Sequence, residues 1–171
     1  MQKKGFATDH LIVGKIKWSF WDLAGQERSR KLWNYYLANS ALVIFVLDTA
    51  DKSRLKTAGE ELRKVIYLRK SNFWLKIFSK KKTLSSSEVE NCPLLIYANK
   101  IDLEGHLTKE EVSEGLKLNE LKQKWQIFEC SAIKNEGIQD GVDWAVKMAA
   151  PESNIPKSKK KKKWASKFKK K

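Results

Sequence analysis

Residues 41–47 read ALVIFVL, an apolar run with no polar interruption, and 94–98 follow the same pattern with LLIYA. A strand with one wet face alternates apolar and polar side chains. A run that is apolar at every position needs cover on both faces. Both runs fall far short of the roughly 20 apolar residues that cross a bilayer, so what covers them is other protein. The stretches between them supply that cover. Along 52–70, Leu55, Ala58, Leu62 and Val65 or Ile66 recur on one helical face. Thr108 followed by Glu111 is a capping box that opens a further helix. In 138–149, Ile138, Val142, Ala145 and Met148 or Ala149 make another amphipathic stripe, and 126–130 read as a third short strand. Strands alternating with helices predict an α/β fold, a parallel sheet with helices on both faces.

Ahead of this alternation, 6–13 and 16–23 read as a β-hairpin turning at Gly14-Lys15. On its second strand Ile16, Trp18 and Phe20 share one face, with Lys17, Ser19 and Trp21 on the other. A glycine-containing loop over 22–27 follows, then a short helix running to about Tyr35. Pro151 and Pro156 close the domain, giving one unit over 1–150 and a basic tail over 151–171. Within the domain, 69–90 break the pattern with aromatics, lysines and a serine-rich stretch, and read as an insertion.

Charge narrows the function. The chain has 35 Lys and Arg against 20 Asp and Glu, a net +15. Residues 157–171 hold ten lysines and no acid, and 69–82 hold six more basic residues and no acid. These two stretches carry the whole excess, so the body is about neutral and the protein is not uniformly basic. The first residues lack the apolar core of a secretory signal. Cys92 and Cys130 do not make a disulfide framework and are expected to be small buried thiols of a reducing compartment.

In a parallel α/β sheet, ligands sit in the loops at the carboxyl ends of the strands. Three loops occupy that position: Trp21-Asp22-Leu23-Ala24-Gly25-Gln26-Glu27, Asn99-Lys100-Ile101-Asp102 and Cys130-Ser131-Ala132. Any one of them alone is an ordinary polar strand cap. All three in this order resemble a Ras-type small GTPase, and the fold this implies is the three-layer P-loop NTPase or G domain. Asn-Lys-x-Asp is that superfamily's guanine-reading motif. The match implies that Asp102 accepts two N–H donors from the guanine edge, Asn99 ties the loops together, and the Lys100 stem covers the base. Ser131-Ala132 matches the loop whose backbone N–H meets the guanine oxygen. Asp22-x-x-Gly25-Gln26 matches the start of switch II, where Asp22 would hold Mg²⁺ through water, the Gly25 N–H would meet the γ-phosphate of GTP, and Gln26 would orient the attacking water.

Finer wording resembles the ADP-ribosylation-factor and factor-like branch. Gln26-Glu27-Arg28-Ser29-Arg30-Lys31-Leu32-Trp33-Asn34-Tyr35-Tyr36 is similar to its switch II helix. Trp125 to Ala132, with Gly137, Gly141 and Trp144, is similar to its C-terminal third. Phe6, Trp21 and Tyr36, spaced at equal intervals of fifteen residues, match the aromatic triad that contacts effectors and exchange factors in this branch. Ala24 departs from the branch, which usually has Gly there.

The larger departure is an absence. The family opens with a strand, then Gly-x-x-x-x-Gly-Lys-Ser/Thr, then a helix, and no such motif occurs in this sequence. Backbone N–H groups and the lysine of that motif cradle the phosphates. Aligned on the family, Met1 falls inside switch I and Lys3 stands near its Mg²⁺-binding threonine. The expected G domain therefore lacks the first strand, the P-loop, the first helix and most of switch I. Two expectations follow: the base-reading half of the site persists while GTP hydrolysis is negligible, and the edges of the strands that would flank the missing one must pair with each other, stay open or be filled by another segment. A shortened form of an ordinary GTPase and a functional remnant are both consistent with the sequence.

The resemblance implies a GTP/GDP switch in vesicle or ciliary trafficking, monomeric, cytoplasmic and peripheral to membranes, with effector, exchange-factor and activating proteins as partners. The alternative is a catalytically dead pseudo-GTPase that binds partners and docks by its tail. In that tail Lys159, Lys160, Lys161, Lys162 and Lys163 adjoin Trp164, with Phe168 further on. Lysine clusters interleaved with aromatics suit an anionic membrane surface. Nucleic-acid contact, nuclear import and simple solubilisation are the competing readings. Phe73, Trp74, Ile77 and Phe78 would form one apolar stripe if the insertion were helical, serving either as packing on the body or as a second contact.

Overall fold

A computed structural model describes residues 6–13, 16–30, 33–37, 40–70 and 92–149. The Gly14-Lys15 turn, most of the 69–90 insertion, Lys3, and the tail with Lys159 to Lys163, Trp164 and Phe168 lie outside the described residues.

The hairpin forms with strands β1 (Phe6–Val13) and β2 (Ile16–Leu23), paired antiparallel from Phe6 opposite Leu23 to Val13 opposite Ile16. Helical stretches α1 (Glu27–Arg30) and α2 (Trp33–Leu37) follow, where the sequence predicts a short helix to about Tyr35; residues 31 and 32 between them lie outside the described residues. Next come β3 (Val43–Asp48), α3 (Leu55–Lys70) after a 3-10 turn over Lys52–Arg54, and β4 (Leu94–Asn99). The last elements are α4 (Lys109–Gly115), a 3-10 turn over Leu118–Glu120, β5 (Trp125–Cys130) and α5 (Ile138–Ala149). Strands β3, β4 and β5 make a parallel sheet in that order, separate from the hairpin.

Alternation along the central strand builds the layers. Leu94, Ile96 and Ala98 point to one face and pack with Leu47, Leu62, Val112, Leu116, Leu118 and Ile127, so α3 and α4 cover that side. Leu95 and Tyr97 point to the other face and pack with Cys130 and Ala145, flanked by Ile138 and Trp144 of α5. Every residue from Leu94 to Ala98 is buried, as a strand covered on both faces requires. The predicted α/β arrangement, a parallel sheet between helical layers, is the one observed.

Two local devices fix the helix starts. The Thr108 hydroxyl accepts from the Glu111 backbone N–H while the Glu111 carboxylate accepts from the Thr108 N–H, closing the predicted capping box. The Tyr97 hydroxyl donates to the Ile138 carbonyl at 2.7 Å, tying the start of α5 to the sheet. Burial raises that phenol's pKa well above its ordinary value.

Strand β3 differs from β4. Its inner residues Val43, Phe45 and Leu47 join the α3 side of the core. Its other face carries Ile44 and Val46, 39% and 61% exposed. One edge of β3 pairs with β4, and among the described residues no strand pairs with the other edge.

Candidate functional site

The register of the sheet sets the first half of the site. Asp48 stands opposite Asn99, and Asn99 opposite Cys130, so the three carboxyl ends finish in one row. The loops beyond that row are stitched together through Asn99. Its Oδ1 accepts the Ala132 backbone N–H at 3.0 Å and a weaker contact from the Cys130 thiol at 3.7 Å. Its carbonyl accepts the Thr49 N–H at 3.0 Å and the Thr49 hydroxyl at 2.7 Å. Burial pushes the Cys130 thiol up to about 11, so at neutral pH it keeps its proton and remains a donor. Cys92 and Cys130 are both buried and unbridged.

Asp102 is held from the third loop. A hydrogen bond from the fully buried Ser131 side chain is the main cause that keeps its carboxyl below the usual carboxylate range, against a smaller desolvation effect, with Lys134 and Lys100 helping. The ionised form is acceptor-only, which suits a ligand edge presenting two N–H donors. Lys100 sits at φ +76, in the left-handed region, and its ammonium pairs with the Asp48 carboxylate. Asp48 also accepts the Ala50 N–H at 3.1 Å. The loop after β5 closes by a Ser131–Glu136 bridge and then Gly137 at φ +71. A Cβ on Gly137 would fall 2.0 Å from the Glu129 carbonyl oxygen, so only glycine fits there.

The second half of the site follows β2. Asp22, next to the end of β2, and Gly25 and Gln26, on the loop before α1, are all exposed. A Cβ on Gly25 would meet nothing within 4 Å. Behind the loop, the Trp33 indole N–H donates to the Ala24 carbonyl at 3.2 Å and the Arg30 Nε–H to the Gly25 carbonyl at 3.0 Å. Arg30 also meets the Glu61 carboxylate of α3 at 2.8 Å, and Lys64 meets the same oxygen at 2.8 Å. Desolvation of this nearly buried carboxyl would raise its pKa. The hydrogen bond from Lys64 and the charge of Arg30 outweigh it, and Glu61 stays below its ordinary value.

Trp21 and Tyr36 stack with ring centroids 4.8 Å apart at 35°, and Trp21 is half exposed. Phe6 opens β1 opposite Leu23. The structure thus gathers Asn99, Lys100, Asp102, Ser131 and Ala132 into one group. It sets Asp22, Gly25 and Gln26 in another, on the hairpin side. Sequence reasoning missed Asp48, Thr49 and Glu61. Asp48 was within reach, because it ends a buried strand in the same row as Asn99.

The residues fit a guanine base: an ionised carboxylate and an aliphatic lysine stem converge at one end of the sheet, beside the Ser131-Ala132 loop that Asn99 holds. For Mg²⁺ the fit is partial. Among the described residues no group of three acidic, histidine or cysteine side chains could hold a metal. Mg²⁺ commonly takes only one or two protein carboxylates beside phosphates and water, and Asp22 could supply one.

A parallel sheet between helical layers, with an Asn-Lys-x-Asp loop clamped onto a Ser-Ala loop at its carboxyl end, defines a small GTPase domain of the Ras superfamily. The sequence profile of the ADP-ribosylation factor family matches residues 2–149. ADP-ribosylation factor-like protein 1 of Saccharomyces cerevisiae is 39% identical over 143 residues, 83% of this chain and 68% of that protein. ADP-ribosylation factor-like protein 5A of Bos taurus is 32% identical over 141 residues, 82% of this chain and 69% of that protein. Among solved structures, the Arl6 (BBS3) small GTPase of Trypanosoma brucei with the bound nucleotide analogue GppNp superposes with a TM-score of 0.69 at 26% identity, over 86% of this chain and 80% of that one. This chain belongs to the ADP-ribosylation factor family.

Proposed function

We propose that this chain is a guanine-nucleotide-binding member of its family that reads the base fully and grips the phosphates weakly, acting as a partner-binding switch in vesicle or ciliary trafficking. The observation that carries the reading is the Asn99 clamp, which accepts the Ala132 N–H at 3.0 Å and so holds the base-side loops together. Lys100 and Asp102 complete the guanine contact. Gly25 would meet a third phosphate, Asp22 would assist Mg²⁺ through water, and Gln26 would orient water. Bound Mg²⁺ supplies charge neutralisation at the phosphates. The sequence carries no Gly-x-x-x-x-Gly-Lys-Ser/Thr, and phosphate charge stabilisation is where the catalysis lies, so hydrolysis by the chain as written is negligible.

Effector, exchange-factor and activating proteins would read the Trp21–Tyr36 surface with Phe6. The lysine-rich 157–171 would bring the protein to the cytoplasmic face of an anionic membrane. The absence of the phosphate motif also favours a second reading, a pseudo-GTPase that offers the same aromatic surface without using nucleotide. Titration with fluorescent GDP and ADP separates the two. Preferential GDP binding that falls about 100-fold in Asp102→Ala, the loss of two charge-assisted hydrogen bonds, supports the first. Absence of guanine binding leaves the second.

A further inference from the structure

In a trans peptide the C=O and the following N–H point in opposite directions. The Ala24 carbonyl is turned toward Trp33 and the Gly25 carbonyl toward Arg30. The Gly25 N–H must therefore point away from Trp33, and the Gln26 N–H away from Arg30. Two successive peptide planes are oriented by side chains contributed from behind the loop. The tethers are themselves anchored: Arg30 reaches the Glu61 carboxylate, whose side chain is only 11% exposed, and Lys64 shares that carboxylate.

We propose that Trp33 and Arg30, the latter backed by Glu61, are positioning residues that fix the peptide planes on either side of Gly25 and so aim the Gly25 N–H for a terminal phosphate. The Arg30–Glu61 pair then ties the state of this loop to α3. The proposal rests on the guanine-nucleotide reading for the identity of the phosphate, but not for the positioning itself. A flexible loop would order its N–H groups only on binding. A tethered one presents them beforehand, and this preorganisation favours the triphosphate over the diphosphate.

The test uses the full chain with Trp33→Phe, which keeps the ring and removes the donor, and Glu61→Gln, which keeps size and removes charge. Backbone ¹⁵N relaxation without nucleotide reads the positioning directly. Order parameters at Gly25 and Gln26 should fall from about 0.85 to below about 0.6 in Trp33→Phe, with β3, β4 and β5 unchanged. Unchanged values at Gly25 and Gln26 overturn the proposal. Fluorescent GppNp and GDP titrations read its purpose. The preference for GppNp should drop about tenfold in each variant, one hydrogen bond's worth, with GDP affinity within about twofold. Equal loss of both ligands, or an unaltered ratio, overturns it. If the wild-type chain binds neither ligand, the guanine reading fails, and the order parameters alone decide whether Trp33 and Glu61 position the loop.

Discussion

The two halves of the site are built by opposite means. On the base side, Asn99, Asp102 and Ala132 hang from the ends of buried parallel strands, and their loops are joined by backbone hydrogen bonds, Thr49 to Asn99 and Ile101 to Cys130, by the short Asn99 side chain, and by Gly137, where only glycine fits. On the hairpin side, Gly25 and Gln26 belong to a loop outside the parallel sheet, held by the long side chains of Trp33 and Arg30. The first half is rigid because the core is rigid. The second can change with the breaking of one or two side-chain contacts, the character a switch needs.

Substitutions can break this contrast, and the largest effect falls on the base side. Gly137→Ala places a Cβ on the Glu129 carbonyl at positive φ and should cost about 3 kcal/mol of unfolding free energy, read by urea denaturation; a loss below about 1 kcal/mol would refute the steric account. Glu61→Gln removes a nearly buried carboxylate from two cationic partners and should cost about 2 kcal/mol at pH 7. Its folded pKa is depressed, so its contribution is present above the unfolded carboxylate's pKa and is lost as pH falls through the folded value. The stability gap between wild type and Glu61→Gln should therefore close on acidification below about pH 4, and a gap constant with pH would contradict the ion pair.

Asn99→Ala should cost only about 1 kcal/mol, because water can replace its bond to the exposed Ala132 N–H. The same change should remove detectable GDP binding in a fluorescence titration. The smallest effect belongs to the hairpin side: Gly25→Ala, with nothing near its Cβ, should shift thermal stability by no more than about 0.5 kcal/mol. A large loss there would mean that the loop is built as rigidly as the base side, and the contrast would collapse.

The same division explains what the sequence made legible. Asn99, Lys100 and Asp102 sit within four consecutive residues, so their spacing is a local pattern. The hairpin, the capping box at Thr108 and the stripe of α5 are also local, and their boundaries matched. Glu61 is unreadable in advance because its partner Arg30 comes from another element, and only the packing of α3 beside the first two helices brings the charges together. Trp33 is in the same position: its ring belongs to an aromatic-rich motif, yet its function lies in one N–H aimed back at Ala24. The helix predicted after the loop is also a local pattern, and helical turns stand on it at Glu27–Arg30 and Trp33–Leu37.

Strand β3 has a consequence of another kind. Val43 to Leu47 are β-branched or apolar, with no lysine, proline or bulge to blunt the edge that no strand among the described residues pairs with, and the first charge is Asp48 at the strand's end. Native proteins guard such edges because chains in solution template one another along them. Where that edge is left open, its cost is colloidal rather than conformational: how much of the protein stays dispersed then depends on concentration and on what shields five residues of one strand.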